Sequence, residues 1–251
     1  MRPPAFVRRL PLLREPLRRL SKRHAPEGPI VENVGGHLWR LSPRDNKVDF
    51  DIWYKRRLDE AEERAFLASH LSAGDLFVDI GANIGAYTIP LLAAVPGLYA
   101  VAFEPLERLR LRLHHNLALN GLAGRAEVRA EAVGPHGTLT LYESRNAGRS
   151  SLLPFEGARV GQSVPVRPLA ALLKAAPAAL KIDVEGFEDR ALLPFFEEAP
   201  PSRWPRAIVV ETLHSAAWHR DCLQELFERG YVLAGRTEEN ALLHLSSTPR
   251  D

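Results

Sequence analysis

The stretch Phe77-Val-Asp-Ile-Gly-Ala-Asn-Ile-Gly-Ala-Tyr-Thr88 decides the reading of this chain. Leu76 to Ile80 is a short apolar run, the pattern of a strand buried on both faces of a sheet. The turn after it holds Gly81 and Gly85 on either side of Asn83. Glycines at such a turn let backbone approach a ligand and let the next helix, expected from Ile84, start close to the sheet. In open α/β sheets ligands sit beyond the carboxyl ends of the strands, so this turn is the first place to seek a bound small molecule.

Outward from that turn, apolar strands alternate with helical patterns. Strands are predicted at Leu98–Phe103, Ala126–Ala132, Ala179–Asp183 and Ala207–Val210, and helices at Leu106–Leu119, Phe187–Phe195 and Ala216–Arg229. This rhythm specifies an α/β, Rossmann-like doubly wound fold, mostly parallel, with helices on both faces. Two additions depart from it. Thr138–Tyr142 and Ser163–Arg167 are read as extra strands around a Gly/Ser/Arg-rich loop, and Tyr231–Ala234 with Ala241–Leu245 as a closing antiparallel hairpin. Before the main domain, which spans 74–251, residues 30–73 form a cap. Its Ile30–Leu41 hairpin turns at Gly35-Gly36 and is expected to cover a sheet edge, and a helical stretch runs Leu58–Leu71.

Residues 1–29 carry six prolines, Pro3, Pro4, Pro11, Pro16, Pro26 and Pro29, among arginines, and each proline interrupts or bends a helix. The segment is read as a basic arm outside the core, either a solvated leader or an amphipathic patch of Leu10, Leu12, Leu13, Leu17 and Leu20 that contacts a membrane or an acidic partner. The chain has a formal charge of +2, and residues 1–23 hold eight basic side chains against Glu15 alone, so the rest is mildly acidic. An acidic body argues against a nucleic-acid substrate, because phosphate neutralisation needs a basic surface. With 251 residues, 45% hydrophobic and 25% charged, one large domain is expected. No apolar run approaches the ~18 residues of a membrane span, and the single Cys222 excludes an intrachain disulfide, so the expectation is a soluble, cytoplasmic protein. Oligomeric state is not encoded in any pattern here.

Charge narrows the cofactor. A dinucleotide turn reads Gly-x-Gly-x-x-Gly and receives pyrophosphate, which a carboxylate such as Asp79 would repel. S-adenosylmethionine (SAM) has no phosphate and carries a sulfonium and an ammonium, both favoured by carboxylates. The next strand ends at Phe103-Glu-Pro105, and Glu104 at a strand tip is placed to accept hydrogen bonds from a ribose diol, a geometry that dinucleotide sites share. Asp79 and Glu104 are alternatively turn or helix caps.

These residues resemble the class I SAM-dependent methyltransferases of the FkbM type. The likeness covers roughly Asp75 to Leu245. It rests on the 77–88 stretch, Phe103-Glu-Pro105, Asn116 and Asn120, Ser150-Ser-Leu152, and Leu180-Lys-Ile-Asp-Val-Glu-Gly-Phe-Glu188. It implies a seven-stranded sheet with one antiparallel strand near its edge, SAM as cofactor, and methyl transfer to a hydroxyl of a sugar, glycan or small natural product. The alternatives are an N-methyltransferase or a SAM- or nucleotide-binding module without activity. The first 60 or so residues lie outside the likeness and are expected to help select the acceptor.

Methyl transfer is an in-line displacement in which position matters most, and an alcohol must also lose its proton. Asp183, at the tip of its strand, is expected to orient the acceptor or take that proton, with Glu185 in support and His214 as the alternative base. Asp183, Glu185 and Glu188 also suit the start of the following helix as favourable charge. Asp79, Gly81, Asn83, Gly85, Glu104, Pro105 and Asp183 are assigned to the cofactor, and Arg145, Arg149, Ser151 and Glu211 to the acceptor. No metal is assigned. A divalent ion on Asp183, Glu211 and His214, acidifying the hydroxyl, is the less favoured alternative.

Overall fold

The computed structural model describes residues 11–144 and 150–246. Its elements in chain order are α1 (Pro11–Arg23), β1 (Ile30–Val34), β2 (His37–Leu41), α2 (Lys47–Lys55), α3 (Ala61–Ser69), β3 (Leu76–Ile80), α4 (Thr88–Ala94), β4 (Tyr99–Phe103) and α5 (Glu107–Leu119). They continue as β5 (Ala126–Arg129), β6 (Ala132–Val133), β7 (Gly137–Ser144), β8 (Ser150–Ser151), β9 (Ala158–Arg167), α6 (Leu169–Leu172) and β10 (Ala179–Ile182). The chain closes with α7 (Glu188–Glu198), β11 (Ala207–Glu211), α8 (Cys222–Glu228), β12 (Tyr231–Arg236) and β13 (Asn240–Leu245).

The main sheet has seven strands in the order β12-β13-β11-β10-β3-β4-β5. Every neighbouring pair from β11 to β5 is parallel, and β13 runs antiparallel to both β11 and β12. The closing hairpin thus supplies the one antiparallel strand. Alternate residues of each strand feed two cores. Phe77, Ala179, Val209 and Leu242 face α2, α3, α4, α5 and the β1–β2 hairpin, and Val78, Leu180, Val210 and Leu243 face α7 and α8. Burial on both faces is why these strands read as continuous apolar runs.

Two boundaries shift, the helix expected at Ala216–Arg229 beginning at Cys222 and the strand expected at Ala126–Ala132 dividing into β5 and β6 of different sheets, and four larger expectations differ from the structure. The β1–β2 hairpin forms its own two-stranded sheet and does not cover an edge of the large one. It lies on α5, where Asn120 Oδ1 accepts from Leu38 N at 2.9 Å and Asn116 Oδ1 from Arg40 N at 2.7 Å. Second, α2 was not anticipated, because its buried Asp49 and Asp51 interrupt the apolar periodicity. Both acids are paired: Arg112 reaches Asp49 at 2.8 Å and Arg18 reaches Asp51 at 2.8 Å.

Third, residues 11–23 are helical despite Pro16, and the arm is anchored at its end: Ser21 and Ala25 are buried while Lys22, Arg23 and His24 between them are exposed. Leu10 and the other residues before Pro11 lie outside the described residues. Fourth, α4 begins at Thr88 rather than at Ile84, so residues 81–87 remain an irregular loop. The extra strands of the sequence reading are β7 and β9, which with β6 and β8 form a separate four-stranded sheet in the order β6-β9-β7-β8. Among the described residues, no helix is long and apolar enough to cross a membrane.

Candidate functional site

A cavity of about 680 Å³ opens above the carboxyl ends of β3, β4 and β10, within the range of about 300–1,000 Å³ usual for small-molecule sites. Gly81, Asn83, Glu104 and Asp183 form its sheet side, and the segment from Asn46 to Glu63 forms the opposite wall.

Sheet register brings the two loops together. Parallel pairing sets Lys181 beside Asp79 and Ile182 beside Ile80, so Gly81 and Asp183 leave the sheet at one level. Asp183 N donates to Ile80 O at 3.0 Å. A β-carbon at Gly81, whose φ is +82°, would stand 1.9 Å from the Asp183 carbonyl oxygen, so only glycine fits. Gly81 N and Ala82 N both donate to Phe103 O at 3.0 Å, tying the turn to β4. Gly85, at φ +95°, packs against Leu113 and Ile89 where no side chain has room. Asn83 adopts φ +52°, and its Oδ1 accepts from Asn46 Nδ2 at 2.6 Å, which pins the cofactor loop to the segment before α2.

Glu104 sits at the β4 tip as the sequence suggested. Its Oε2 accepts from Asn83 N and its Oε1 from Leu106 N, both at 2.9 Å, so it caps the loop and lines the cavity at once. Burial pushes its carboxyl up to about 7. The neighbouring Pro105 also lines the cavity.

Asp79 departs from the expectation of direct cofactor contact. It is fully buried, its Oδ2 accepts from Thr88 Oγ1 at 2.6 Å, and it is not part of the cavity wall. The reason is Lys181, whose role the sequence reading missed. The buried Lys181 Nζ lies 3.9 Å from Asp79 Oδ1 and 3.5 Å from Asp183 Oδ2, and donates to Gly81 O at 3.1 Å. Burial alone would depress this ammonium, but Asp183, Asp79 and Glu60 hold it above its ordinary value, and it stays charged. The signal for it was present: a lysine two residues before Asp183 in an otherwise apolar strand needs a counter-charge.

Tyr87 was also missed. Its buried hydroxyl has no hydrogen-bond partner among the described residues, its ring lies 5.3 Å from Lys181 Nζ, and it lines the cavity.

After Asp183 the chain makes a tight loop, with Glu185 at φ +59° and Gly186 at φ +98°. Glu188 organises it by accepting from Val184 N at 2.9 Å, from Gly186 N at 3.1 Å and from Trp218 Nε1 at 2.7 Å. Ser151 Oγ donates to Glu185 O at 2.9 Å, fastening β8 to the same loop beside the cavity. Arg145 and Arg149, assigned to the acceptor, lie outside the described residues. Glu211 and His214 stand behind Asp183 and Glu185 rather than on the cavity wall. His214 Nδ1 is 3.3 Å from Glu185 Oε2 and 3.4 Å from Glu211 Oε1. The oxygens that converge are those of Asp183, Glu188 and Glu211, so Glu188 takes the place that the sequence reading gave to His214.

The profile of the methyltransferase FkbM domain matches residues 79–233, from the Asp79 turn through β12. The chain belongs to the FkbM methyltransferase family. Membership makes this FkbM-family chain a SAM-dependent methyltransferase. No curated protein matches it. Solved structures similar to it include a SAM-dependent O-methyltransferase from Thermotoga maritima, at 15% identity and TM-score 0.49, covering 89% of this chain and 80% of that one. A putative rRNA methylase from Clostridium thermocellum aligns at 10% identity and TM-score 0.48, covering 74% of this chain and 96% of that one. A precorrin-6Y C5,15-methyltransferase from Geobacter metallireducens aligns at 14% identity and TM-score 0.47, covering 74% and 87%.

The residues present fit the cofactor. The Glu104 carboxylate suits a ribose diol, the Gly81 to Gly85 backbone gives close approach, and the unpartnered Tyr87 hydroxyl awaits a polar group.

Proposed function

We propose that this methyltransferase acts on a hydroxyl oxygen of a sugar, a glycan or a small natural product. The observation that carries the reading is Asp183: its side chain is 35% exposed, projects at the cavity beside the glycine turn, and is steadied by Lys181. Bound SAM supplies an activated methyl group, and the protein must hold an acceptor oxygen in line with it. Asp183 is suited to orient the acceptor O–H and receive its proton as the new carbon–oxygen bond forms. Glu185 and His214 extend a polar path behind it for that proton.

The opposite wall supports a hydroxyl-rich acceptor. Lys47, Lys55, Arg57, Asp59 and Glu60 line it, donors and acceptors of both signs rather than an apolar slot or a basic groove. A small or saccharide acceptor, not a nucleic acid, fits that mixture. The same reading places the protein in the cytoplasm, where its buried free Cys222 remains a thiol.

Calorimetry with SAM, followed by incubation with methyl-labelled SAM and fractionated cell glycans and metabolites, tests this. Saturable SAM binding and label in an alkali-stable methyl ether are expected. Label in amines or nucleic acid, or no binding of SAM, overturns it.

A further inference from the structure

Three carboxylates meet behind the sheet side of the cavity, from the loop after β10, from α7 and from the tip of β11. One oxygen of each of Asp183, Glu188 and Glu211 lies within 4.8 Å of the others. We propose that this cluster binds one hard divalent cation, magnesium or manganese, held between Asp183 and Glu211.

Proximity of acids is common on protein surfaces and would not suffice. Glu211 adds an independent observation. It is only 5% exposed, and both of its carboxylate oxygens are buried without a hydrogen bond among the described residues; the His214 imidazole approaches Oε1 no closer than 3.4 Å. A buried carboxylate ordinarily takes several donors, as Glu104 and Glu188 do here. Glu211 instead has Asp183, Glu188 and the His214 imidazole around it. Burial first, and then repulsion from Asp183, Glu188 and Glu185, pushes its carboxyl up to about 9. A dication placed among these oxygens reverses that situation, because its charge becomes the largest in the locality.

The spacing and the donors suit such an ion. Oxygens on opposite sides of an ion with bonds of about 2.1–2.4 Å stand about 4.2–4.8 Å apart. An all-oxygen set selects magnesium, manganese or calcium over softer metals, and water completes the shell. Glu188 reaches the cluster already fixed by Val184 N, Gly186 N and Trp218 Nε1, so one ligand is preorganised. Lys181 restrains Asp183 from the opposite side, at 3.5 Å from Oδ2. Asp183 belongs to both the cluster and the cavity wall, so the ion would lie at the back of the acceptor site. Its consequence for catalysis, acidifying an acceptor hydroxyl, rests on the O-methyl transfer reading; the binding itself does not.

The test is a manganese titration of the full chain, freed of metal by chelation, followed through the paramagnetic resonance signal of free Mn²⁺. One ion per chain is expected, displaced by excess magnesium. Glu211→Gln and Asp183→Asn should each weaken binding by at least about tenfold, the scale set by loss of a ligand or its immediate support. Glu228→Gln, at an exposed position of α8, should bind as the parent does. In chelator, Glu211→Gln should melt no lower than the parent, since it removes an acid crowded by two others. With Mn²⁺, the parent and Glu228→Gln should gain melting temperature, and Glu211→Gln less than either. A free-ion signal unchanged by protein, or undiminished binding in Glu211→Gln, overturns the site. The titration contains no methyl donor or acceptor, so its failure leaves the methyl-transfer reading standing, and failure of methyl transfer leaves the titration readable.

Discussion

A side chain on Gly81 would collide with the carbonyl oxygen of Asp183 at 1.9 Å, so the cofactor turn and the acid loop are fitted backbone to backbone. Gly81→Ala must find a positive φ and displace a carbonyl at once, and on the scale of overpacking and strain it should lower unfolding free energy by about 2–5 kcal/mol. Denaturant unfolding measures that loss, and calorimetry should show SAM binding gone even where the fold survives. Parent-like SAM affinity in Gly81→Ala would contradict the described contact.

Lys181 is the counter-charge for a carboxylate that water cannot reach. Lys181→Met leaves Asp79 buried with Thr88 as its only hydrogen-bonding side chain among the described residues, and breaking a buried pair from one side costs about 3–5 kcal/mol. Adding Asp79→Asn to Lys181→Met should recover part of the loss. A urea series on the two single variants and the double variant measures the coupling; strict additivity would rule out the pairing.

Asp183→Asn keeps the size of the side chain and removes its charge. SAM affinity should change less than about threefold while turnover falls by about 10²–10⁴, the range for loss of a general base. Single-turnover methylation with labelled SAM separates the two effects. Retained turnover would remove Asp183 from the chemistry.

Glu211 makes stability depend on pH in a stated direction. Its folded-state carboxyl is raised to about 9 from an ordinary 4.5, so the folded protein holds this proton more tightly than the unfolded chain. The contribution is therefore most favourable below about pH 4.5 and is lost as pH climbs toward about 9. In chelator, the parent should lose on the order of 1–3 kcal/mol relative to Glu211→Gln across that window, because the unfolded chain releases a proton that the folded protein retains. Melting both proteins from pH 5 to pH 9 gives the comparison. Parallel curves would show that Glu211 ionises without penalty.

Asn116 joins three parts of the molecule. From α5 it accepts Arg40 N of the hairpin at 2.7 Å and donates to Ile84 O of the cofactor loop at 3.1 Å. Asn116→Ala leaves both backbone groups without this partner and should cost about 2–4 kcal/mol, with weaker SAM binding because the loop loses an anchor. Hydrogen exchange should rise at Arg40 and across residues 81–87. Exchange rising only in α5 would assign Asn116 a local role.

The sequence by itself determined the class of fold and the places where chemistry can occur. Strands buried on both faces are dominated by apolar residues, and a turn that touches a ligand needs glycine, so β3, β10, β11, Gly81, Glu104 and Asp183 could be recognised from composition along the chain. These are local consequences of burial and backbone freedom. Only tertiary structure decided which charges meet. Parallel register, set by packing of whole strands, puts Lys181 against Asp79 and withdraws that acid from the cavity. It also turns Glu211 toward Asp183 and Glu188 instead of toward an acceptor, and lays the β1–β2 hairpin on α5 rather than on a sheet edge. Helix α2 was hidden in part for the same reason, since its fully buried Asp49 is balanced by Arg112, which comes from a distant part of the chain, while Asp51 pairs both with distant Arg18 and with Lys47 and Lys55 of its own helix. Electrostatic energy depends on distances between residues far apart in sequence, and no spacing along the chain contains those distances.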